Sequence, residues 1–562
     1  MFPRKNIHRR FVSLLLFLVF AWSAPALAQQ SGTGIVVSDS ELATKAGMEI
    51  LKRGGNAIDA AVATAFALAV VDPVSSGVGG GGFMVFYQTK EKKAHALDFR
   101  ETAPAAARKD LYMKGGRPVP ALSLTGALAI AVPGEVAGLA EALKRFGSLP
   151  LATVLEPAIR YAAEGFPLQY SLRHTIERQL ATIRKFPDLA RVLLVKNEVA
   201  PEGEKLRQPE LAETLKAVAE QGPQVFYQGR IAEAIADTLK KEGGNLTLDD
   251  LKNYKPVWRE PLIGSYRKRT VITMPPPSSG GIALIQMLNV LEGYQLNLIP
   301  HNSATHLHLL AETMKHAFAD RAQYLGDPDF VQIPTEKLTS KEHAAWIRSR
   351  ISSVHTYGPR FYGLASTKPE QGGTTHFGVL DRFGNAVSSS LTINTQFGSK
   401  VLVPGTGVIL NNEMDDFSIE PASPNVYGLI GTEANSIQPK KRPLSSMMPT
   451  IILQDDRPAL IVGASGGPRI INATLQAVLN VLDFHLPLKR AIESPRIHHQ
   501  WIPNELAVEG KISPNTRKSL ERRGHEVKER TSLGVVQAIL VQRAKIDAEA
   551  DARKEEKASA GR

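Results

Sequence analysis

The amino-acid sequence predicts an α+β protein, and three observations carry that reading. Between 130 and 255 apolar residues recur at three- and four-residue spacing, as in GEVAGLAEALKRFG and ELAETLKAVAEQ, so this part reads as a helical layer. Strand-like runs stand before it at 83–88 and 94–99. After residue 374 short strands return at 375–381, 385–393, 401–403, 449–454 and 459–463, ahead of a helix at 468–482. At 562 residues the chain can hold two or three ordinary domains or one large layered one, and it shows no internal repeat.

The elements follow in order. Arg4, Lys5, Arg9 and Arg10 precede an apolar run from Phe11 to Trp22, and Ala26-Leu27-Ala28 has the small residues of a cleavage site. The run is shorter than the ~20 apolar residues of a spanning helix, so residues 1–28 read as a removed export signal and the mature form has no membrane span. Two helices are expected over 39–71, the first capped by Asp39 or Ser40 and stopped at Gly54-Gly55, the second opened by Asn56. The segment 266–294 reads as strand, tight turn and buried helix, and 303–325 as another helix. Residues 330–373 lose all periodicity and read as a long mobile connection. From Arg543 onward the chain is charged and Ala-rich, the pattern of a solvated helix or tail.

Composition removes several function classes. The chain has no cysteine, which excludes disulfides, thiolate metal sites and a cysteine nucleophile. Its formal charge of +12 is scattered and not interleaved with aromatics, so no nucleic-acid partner is expected. GVGGGGF at 77–83 lacks the Lys-Ser/Thr of a phosphate loop, and its glycines read as close backbone packing. His306, His308 and His316 lie on one helical stretch without an H-E-x-x-H pattern; they read as partly buried, and neither a metal nor a cofactor is expected. His376, His498 and His499 are read as structural.

EQGGTTHFGVLD, residues 370–381, is the stretch that points to chemistry. A hydroxyl is a weak nucleophile and needs a base beside it, which the α-amino group of the same residue can supply if that residue is a chain terminus. Such an amine has an ordinary pKa of ~7.7–8.0 and accepts protons near neutrality. An interior threonine acquires one only when the bond before it is cut, and Gly373 before Thr374 tolerates the required backbone geometry. By themselves these residues equally describe a turn leading into a strand. The rest of the half-chain adds hydroxyls and an amide in LTINTQFG (391–398), carboxylates in NNEMDDF (411–417), serines in RPLSSMMPT (442–450) and paired glycines in VGASGGPR (462–469). Together these offer acceptors for an ammonium, donors for a carboxylate and N–H groups for an oxyanion.

TTHFGVLD, NNEMDDFS, PNVYGL, KRPLSSMMPT and GASGG in this order, with DFRETAP, GGGGF and PPPSSGG upstream, resemble the γ-glutamyltranspeptidase family over about residues 33–540. The resemblance implies a four-layer αββα sandwich of the N-terminal nucleophile hydrolase type. It implies a precursor that cuts itself between Gly373 and Thr374 into a large subunit, 29–373, and a small subunit, 374–562, which stay intertwined. Carried over by motif, Thr374 is the nucleophile, Thr392 contacts its hydroxyl and assists processing, and Gly466 and Gly467 form the oxyanion hole. Arg100, Ser445 and Ser446 hold the donor's α-carboxylate; Asn394, Glu413 and Asp416 accept from its α-amino group. The loop 421–432 resembles the family's lid, with Tyr427 closing the pocket. The implied partners are glutathione and other γ-glutamyl compounds as donors, with water, amino acids or dipeptides as acceptors, in an exported periplasmic or secreted enzyme.

Other readings compete. GASGG is also G-x-S-x-G, with Asp483 and His485 or His498 following, which would make Ser465 an esterase nucleophile; the elements ahead of it are not the βαβ units that such an elbow needs. A cephalosporin-type acylase is a second alternative within the resemblance. A non-catalytic amino-acid-binding protein using the same clamp is a third, and it would remain one polypeptide after signal removal. Glu413 stands where some family members have glutamine.

Overall fold

The structure is a computed structural model that describes residues 32–363, 373–420, 424–542, 545–554 and 558–559. The expected export signal and the start of the expected lid lie outside these residues. Ser40 caps the helix Glu41–Lys52 through its hydroxyl. Asn56 caps Ala57–Val71 in a reciprocal box with Asp59, and the Asp59 carboxylate also takes the N–H of Ser148, 2.8 Å away. The second helix is Ala-rich and buried on every side, so it packs close to the sheet beneath it.

That sheet has seven strands. From edge to edge they are Ala558–Ser559, Gly34–Ser38, Thr374–Asp381, Ala386–Thr392, Gly81–Gln88, Lys93–Phe99 and Val257–Arg259, all antiparallel. A second antiparallel sheet runs Lys545–Ala550, Val535–Gln542, Arg457–Ser465, Thr450–Gln454, Arg269–Thr273, Leu262–Tyr266. One core joins the outer face of the first sheet, with Phe377, Val379 and Val387, to the helices of the N-terminal half. The other fills the space between the sheets and continues under the helices Gly280–Glu292, Ala304–Tyr324 and Arg469–Leu482. The order is helix, sheet, sheet, helix, as the resemblance implies. Among the described residues no helix is long and apolar enough to cross a membrane.

Side-chain alternation decides where each residue of the Thr374–Asp381 strand points. His376 turns toward the second sheet and fills the space left by Gly463, where an added Cβ would lie 2.3 Å from its ring. Phe377 and Val379 turn toward the helices. The glycines of GVGGGGF pack as expected, since a Cβ on Gly79 or Gly80 would sit 2.1 Å from the carbonyl oxygen of Ile409 or Thr392.

Two expectations are corrected. Residues 330–363 are not a loose connection: Lys341–Arg350 is a helix that sets Ala344 and Ile347 against Val290. Its other positions are mostly polar, so two apolar anchors left no periodic signal. The described part of the C-terminal stretch, residues 545–554, is not a solvated tail either. Lys545–Ala550 pairs with Val535–Gln542 as an edge strand, and Asp551 meets Arg496 at 2.8 Å. The alternation Ile546, Ala548, Ala550 was masked by the surrounding charges and by alanine's helical preference.

Gly463→Ala should push its methyl into the buried His376 ring and destabilise the fold by about 1–3 kcal/mol. Urea unfolding checks this, and an unchanged midpoint would contradict the packing described.

Candidate active site

The head of the Thr374–Asp381 strand is held from three sides. Thr374 pairs with Thr392, and Thr392 pairs with Gly81. The Thr392 hydroxyl donates to the Gly373 carbonyl oxygen at 2.9 Å and accepts from the Asn394 N–H at 2.8 Å. The Gly373 N–H donates to the Asn394 carbonyl at 2.8 Å, and Asn394 itself has a φ of +72°. The peptide between Gly373 and Thr374 is therefore fixed, with a hydroxyl donor on its carbonyl.

Sequence spacing does not choose between the two threonines, but geometry does. Thr375 is fully buried and donates to Asp39 at 2.5 Å. Thr374 points the other way and lines a cavity with Arg100, Asn394, Glu413, Asp416 and Ser446. This cavity also receives Thr392, Ser445, Gly467 and Tyr427, so the expected residues converge except Gly466, which lines an adjoining cavity. Its free volume is about 20 Å³, room for roughly one water.

Arg100 is buried and ion-paired with Glu413 and with Asp416, and Glu101 approaches it at 3.7 Å. The expected carboxylate clamp and the expected ammonium acceptors thus neutralise each other. Burial works against the Arg100 charge, and the carboxylates of Glu413, Asp416 and Glu101 more than offset it, holding its pKa above the ordinary value. Burial also raises Glu413 and Asp416, against the pull of Arg100. Glu101, whose two oxygens have no hydrogen-bond partner among the described residues, is pushed by burial to about 8. Asp415, raised by burial to about 7, binds the Ser123 hydroxyl at 2.6 Å and the Val426 N–H at 3.0 Å.

Ser445 is set by the PPPSSGG turn: its N–H reaches the Pro277 carbonyl at 2.9 Å, and its own carbonyl takes the N–H and hydroxyl of Ser279. At the strand-to-helix turn Gly466 and Gly467 have φ of +125° and +61°. Neither N–H has a hydrogen-bond partner among the described residues, which leaves both donors free for an oxyanion. Tyr427 lies over Gly467, where an added Cβ would touch its ring at 2.8 Å, and its hydroxyl is 2.7 Å from both the carbonyl and the side-chain oxygen of Asn394.

Sequence reading missed Glu101, Asp415 and Arg321. Arg321, fully enclosed on the helix Ala304–Tyr324, donates to Ser279 at 3.2 Å and feels the Asp416 charge; burial lowers its pKa to about 10. The only signal was a charged residue inside an otherwise buried helix. The esterase alternative fails on geometry: Asp483 holds Tyr266 and Arg267, while His498 holds Asn472 and Gln500, so neither serves Ser465. His308, Glu312 and His525 come together as a possible ligand set, but Lys315 places its ammonium 3.2 Å from Glu312 and supplies the cation. His306 and His316 point elsewhere, toward Phe484 and Tyr362.

A threonine at the head of an interior strand in a four-layer sandwich defines an N-terminal nucleophile hydrolase. Residues 43–561 match the family model described as Gamma-glutamyltranspeptidase. The chain is 43% identical over 520 residues to the glutathione hydrolase proenzyme of Escherichia coli (strain K12), covering 92% of this chain and 89% of that protein. Its fold is similar to the crystal structure of cephalosporin acylase from Bacillus halodurans, with a TM-score of 0.83 at 30% identity over 94% of this chain and 95% of that one. It is also similar to Helicobacter pylori gamma-glutamyltranspeptidase, with a TM-score of 0.56 at 41% identity over 57% of this chain and 93% of that chain. The chain belongs to the γ-glutamyltranspeptidase family.

The buried Glu101 carboxyl contributes a pH-dependent part of the stability, whose sign follows from its shift. Its folded pKa of about 8 lies above the ordinary 4.5, so between these values the folded protein keeps a proton that the unfolded chain has released. Raising the pH through that window favours unfolding. Burial lowers the pKa of histidines such as His376, His498 and His525, which acts with the opposite sign below about pH 6.5, so the Glu101 contribution is read as a difference: between about pH 5 and 8 the melting temperature of Thr374→Ala should lose ground to that of Thr374→Ala/Glu101→Gln. Equal slopes would show that Glu101 is ionised at neutral pH.

Proposed function

We propose that the protein is a self-processing γ-glutamyltranspeptidase and glutathione hydrolase with Thr374 as nucleophile. The observation that carries this reading is the Thr392 hydroxyl on the Gly373 carbonyl, beside a Thr374 that faces the clamp. In maturation the Thr374 Oγ attacks the Gly373 carbonyl carbon, and the Thr392 donor stabilises the charge that develops on its oxygen. The C–N bond breaks, the Thr374 nitrogen takes the hydroxyl's proton, and an ester remains. Water then releases the Gly373 carboxylate and leaves Thr374 with a free amine. Two subunits result, 29–373 and 374–562, joined by the sandwich.

In turnover that amine accepts the Thr374 hydroxyl proton as Oγ attacks the γ-amide of glutathione or a related compound. The donor's α-carboxylate takes Arg100, Ser445 and Ser446, and its ammonium takes Asn394, Glu413 and Asp416. Gly466 and Gly467 receive the oxyanion. The amine leaves with the proton, and water or another amine resolves the γ-glutamyl ester. An acyl donor without an α-amino group would leave Glu413 and Asp416 without a partner. The N-terminal run supports an exported, periplasmic or secreted enzyme.

Thr374→Ala should remain a single band on a denaturing gel and show no γ-glutamyl anilide hydrolysis. A normally cut, active variant would refute the assignment. Thr392→Ala should mature about 10²–10³-fold more slowly, by loss of one preorganised donor, and Thr392→Ser should recover much of that rate. The same gel followed over time measures both. Edman sequencing of the smaller wild-type fragment should begin Thr-Thr-His-Phe.

A further inference from the structure

Lys400 is a buried cation that the proposed reaction does not use. It is 8% exposed, and its ammonium donates to the carbonyl oxygens of Gln396 at 2.6 Å and Gly398 at 2.7 Å, with the Thr395 hydroxyl at 3.5 Å. No carboxylate pairs with it among the described residues, whereas the enclosed Arg100, Arg259 and Lys315 each hold one. Burial lowers its pKa to about 8, so the side chain still carries its charge at neutrality.

The backbone around this ammonium is strained. Asn394, Phe397 and Lys400 have φ of +72°, +57° and +71°, the left-handed region that a side chain adopts only at a cost, and Gly398 has +50°. Such a path persists only where its surroundings over-determine it. Within the loop the Gly398 N–H reaches the Thr395 carbonyl at 2.8 Å and the Lys400 N–H reaches the Phe397 carbonyl at 3.0 Å. The carbonyls of Gln396 and Gly398 are turned inward by the same path and meet at one point beside the Thr395 hydroxyl. Oxygens gathered in this way repel one another unless a positive charge lies between them, and the Lys400 ammonium is that charge.

What the loop carries is the Asn394 side chain. Asn412, the neighbour of Glu413, accepts the Thr395 N–H at 3.1 Å, donates to the Thr395 hydroxyl at 2.8 Å, and takes the Asn394 side-chain amide on its carbonyl at 2.9 Å. With its amide committed to Asn412, Asn394 turns its side-chain oxygen to the Tyr427 hydroxyl and the smaller cavity. That oxygen is the expected acceptor for the donor's α-ammonium. Its aim depends on Thr395 and Gln396, the two residues that follow it, and both give an oxygen to Lys400.

We propose that Lys400 is a positioning residue for the γ-glutamyl donor: its ammonium is a tethered cation that holds the loop 394–400 in the shape that aims the Asn394 oxygen at the donor's α-ammonium. This rests on the function proposed above and adds no step to it. Lys400 touches neither the substrate nor the reacting atoms. Its loss therefore weakens a contact made equally in the ground and transition states, which raises KM and leaves kcat nearly unchanged.

The test uses the self-cleaved enzyme and the hydrolysis of a γ-glutamyl anilide without added acceptor. Lys400→Met keeps the length of the side chain and removes its charge. It should raise the donor's KM by between about 10- and 100-fold, the worth of one charge-assisted contact, and change kcat far less. Lys400→Gly accepts the φ of +71° and opens the space that the side chain filled. Its KM should be high in tetramethylammonium chloride and fall to a plateau as potassium chloride replaces that salt at equal ionic strength, because potassium fits among carbonyl oxygens and the larger ion does not. Wild type should show no difference between the salts. A Lys400→Met enzyme with the wild-type KM overturns the proposal, and so does a Lys400→Gly enzyme indifferent to potassium. Should Lys400→Gly stay uncut, the two salts are compared on its self-cleavage, since the Asn394 carbonyl also holds the Gly373 N–H; cutting that potassium does not speed overturns the proposal as well. Wild type that does not hydrolyse the anilide at all would instead refute the underlying function.

Discussion

The antiparallel pairing of Thr374–Asp381 inside the seven-stranded sheet is the constraint from which the rest follows. This strand is bonded on one edge to Gly34–Ser38 and on the other to Ala386–Thr392. A cut at its head removes one covalent bond and none of the ladder bonds, so two chains stay in one sandwich. The same pairing fixes the scissile peptide. Thr392 is opposite Thr374 because the register puts it there, and its hydroxyl reaches the Gly373 carbonyl as a consequence. Strand alternation then directs Thr374 into the cavity and Thr375 onto Asp39.

The clamp follows a second logic, that of charge exchange. A buried guanidinium is tolerable only with partners, and Arg100 has Glu413 and Asp416 while the cavity is empty. A zwitterionic amino-acid head brings one carboxylate and one ammonium, so it can replace this internal pair with two external ones without stranding a charge. An anion alone would displace the carboxylates from Arg100 and leave them unpaired. On the proposed reading, this arrangement of charges would favour a free α-amino acid head.

Much of this was legible in the sequence, for identifiable reasons. The caps at Ser40 and Asn56, the Ala-rich buried helix and the alternating runs after Thr374 are local signals, and the structure contains them. The site motifs were legible because hydroxyls, carboxylates and paired glycines cluster in short stretches. What was not legible depends on distant contacts. The helix Lys341–Arg350 and the strand Lys545–Ala550 bury few residues and so carry weak patterns. Glu101 stands in plain view beside Arg100, but its burial without a hydrogen bond arises only when the DFRETAP segment meets NNEMDDF.

In the function proposed, Asn394 would tie maturation to access. Its carbonyl accepts the N–H of Gly373, the last residue before the cut, and it also lies 2.7 Å from the Tyr427 hydroxyl. While the chain is whole, the scissile peptide and the cover of the cavity share one anchor. With about 20 Å³ free beneath Tyr427, no amino-acid head fits until that cover moves. The proposed cut after Gly373 would free the donor side of the first bond, because the new carboxylate could carry its own residue away from the strand. The anchor is then left to Tyr427 and to whatever ligand competes for Asn394. The expected ammonium acceptor is the residue that holds the lid shut, so a donor that engages Asn394 loosens the contact that would exclude it.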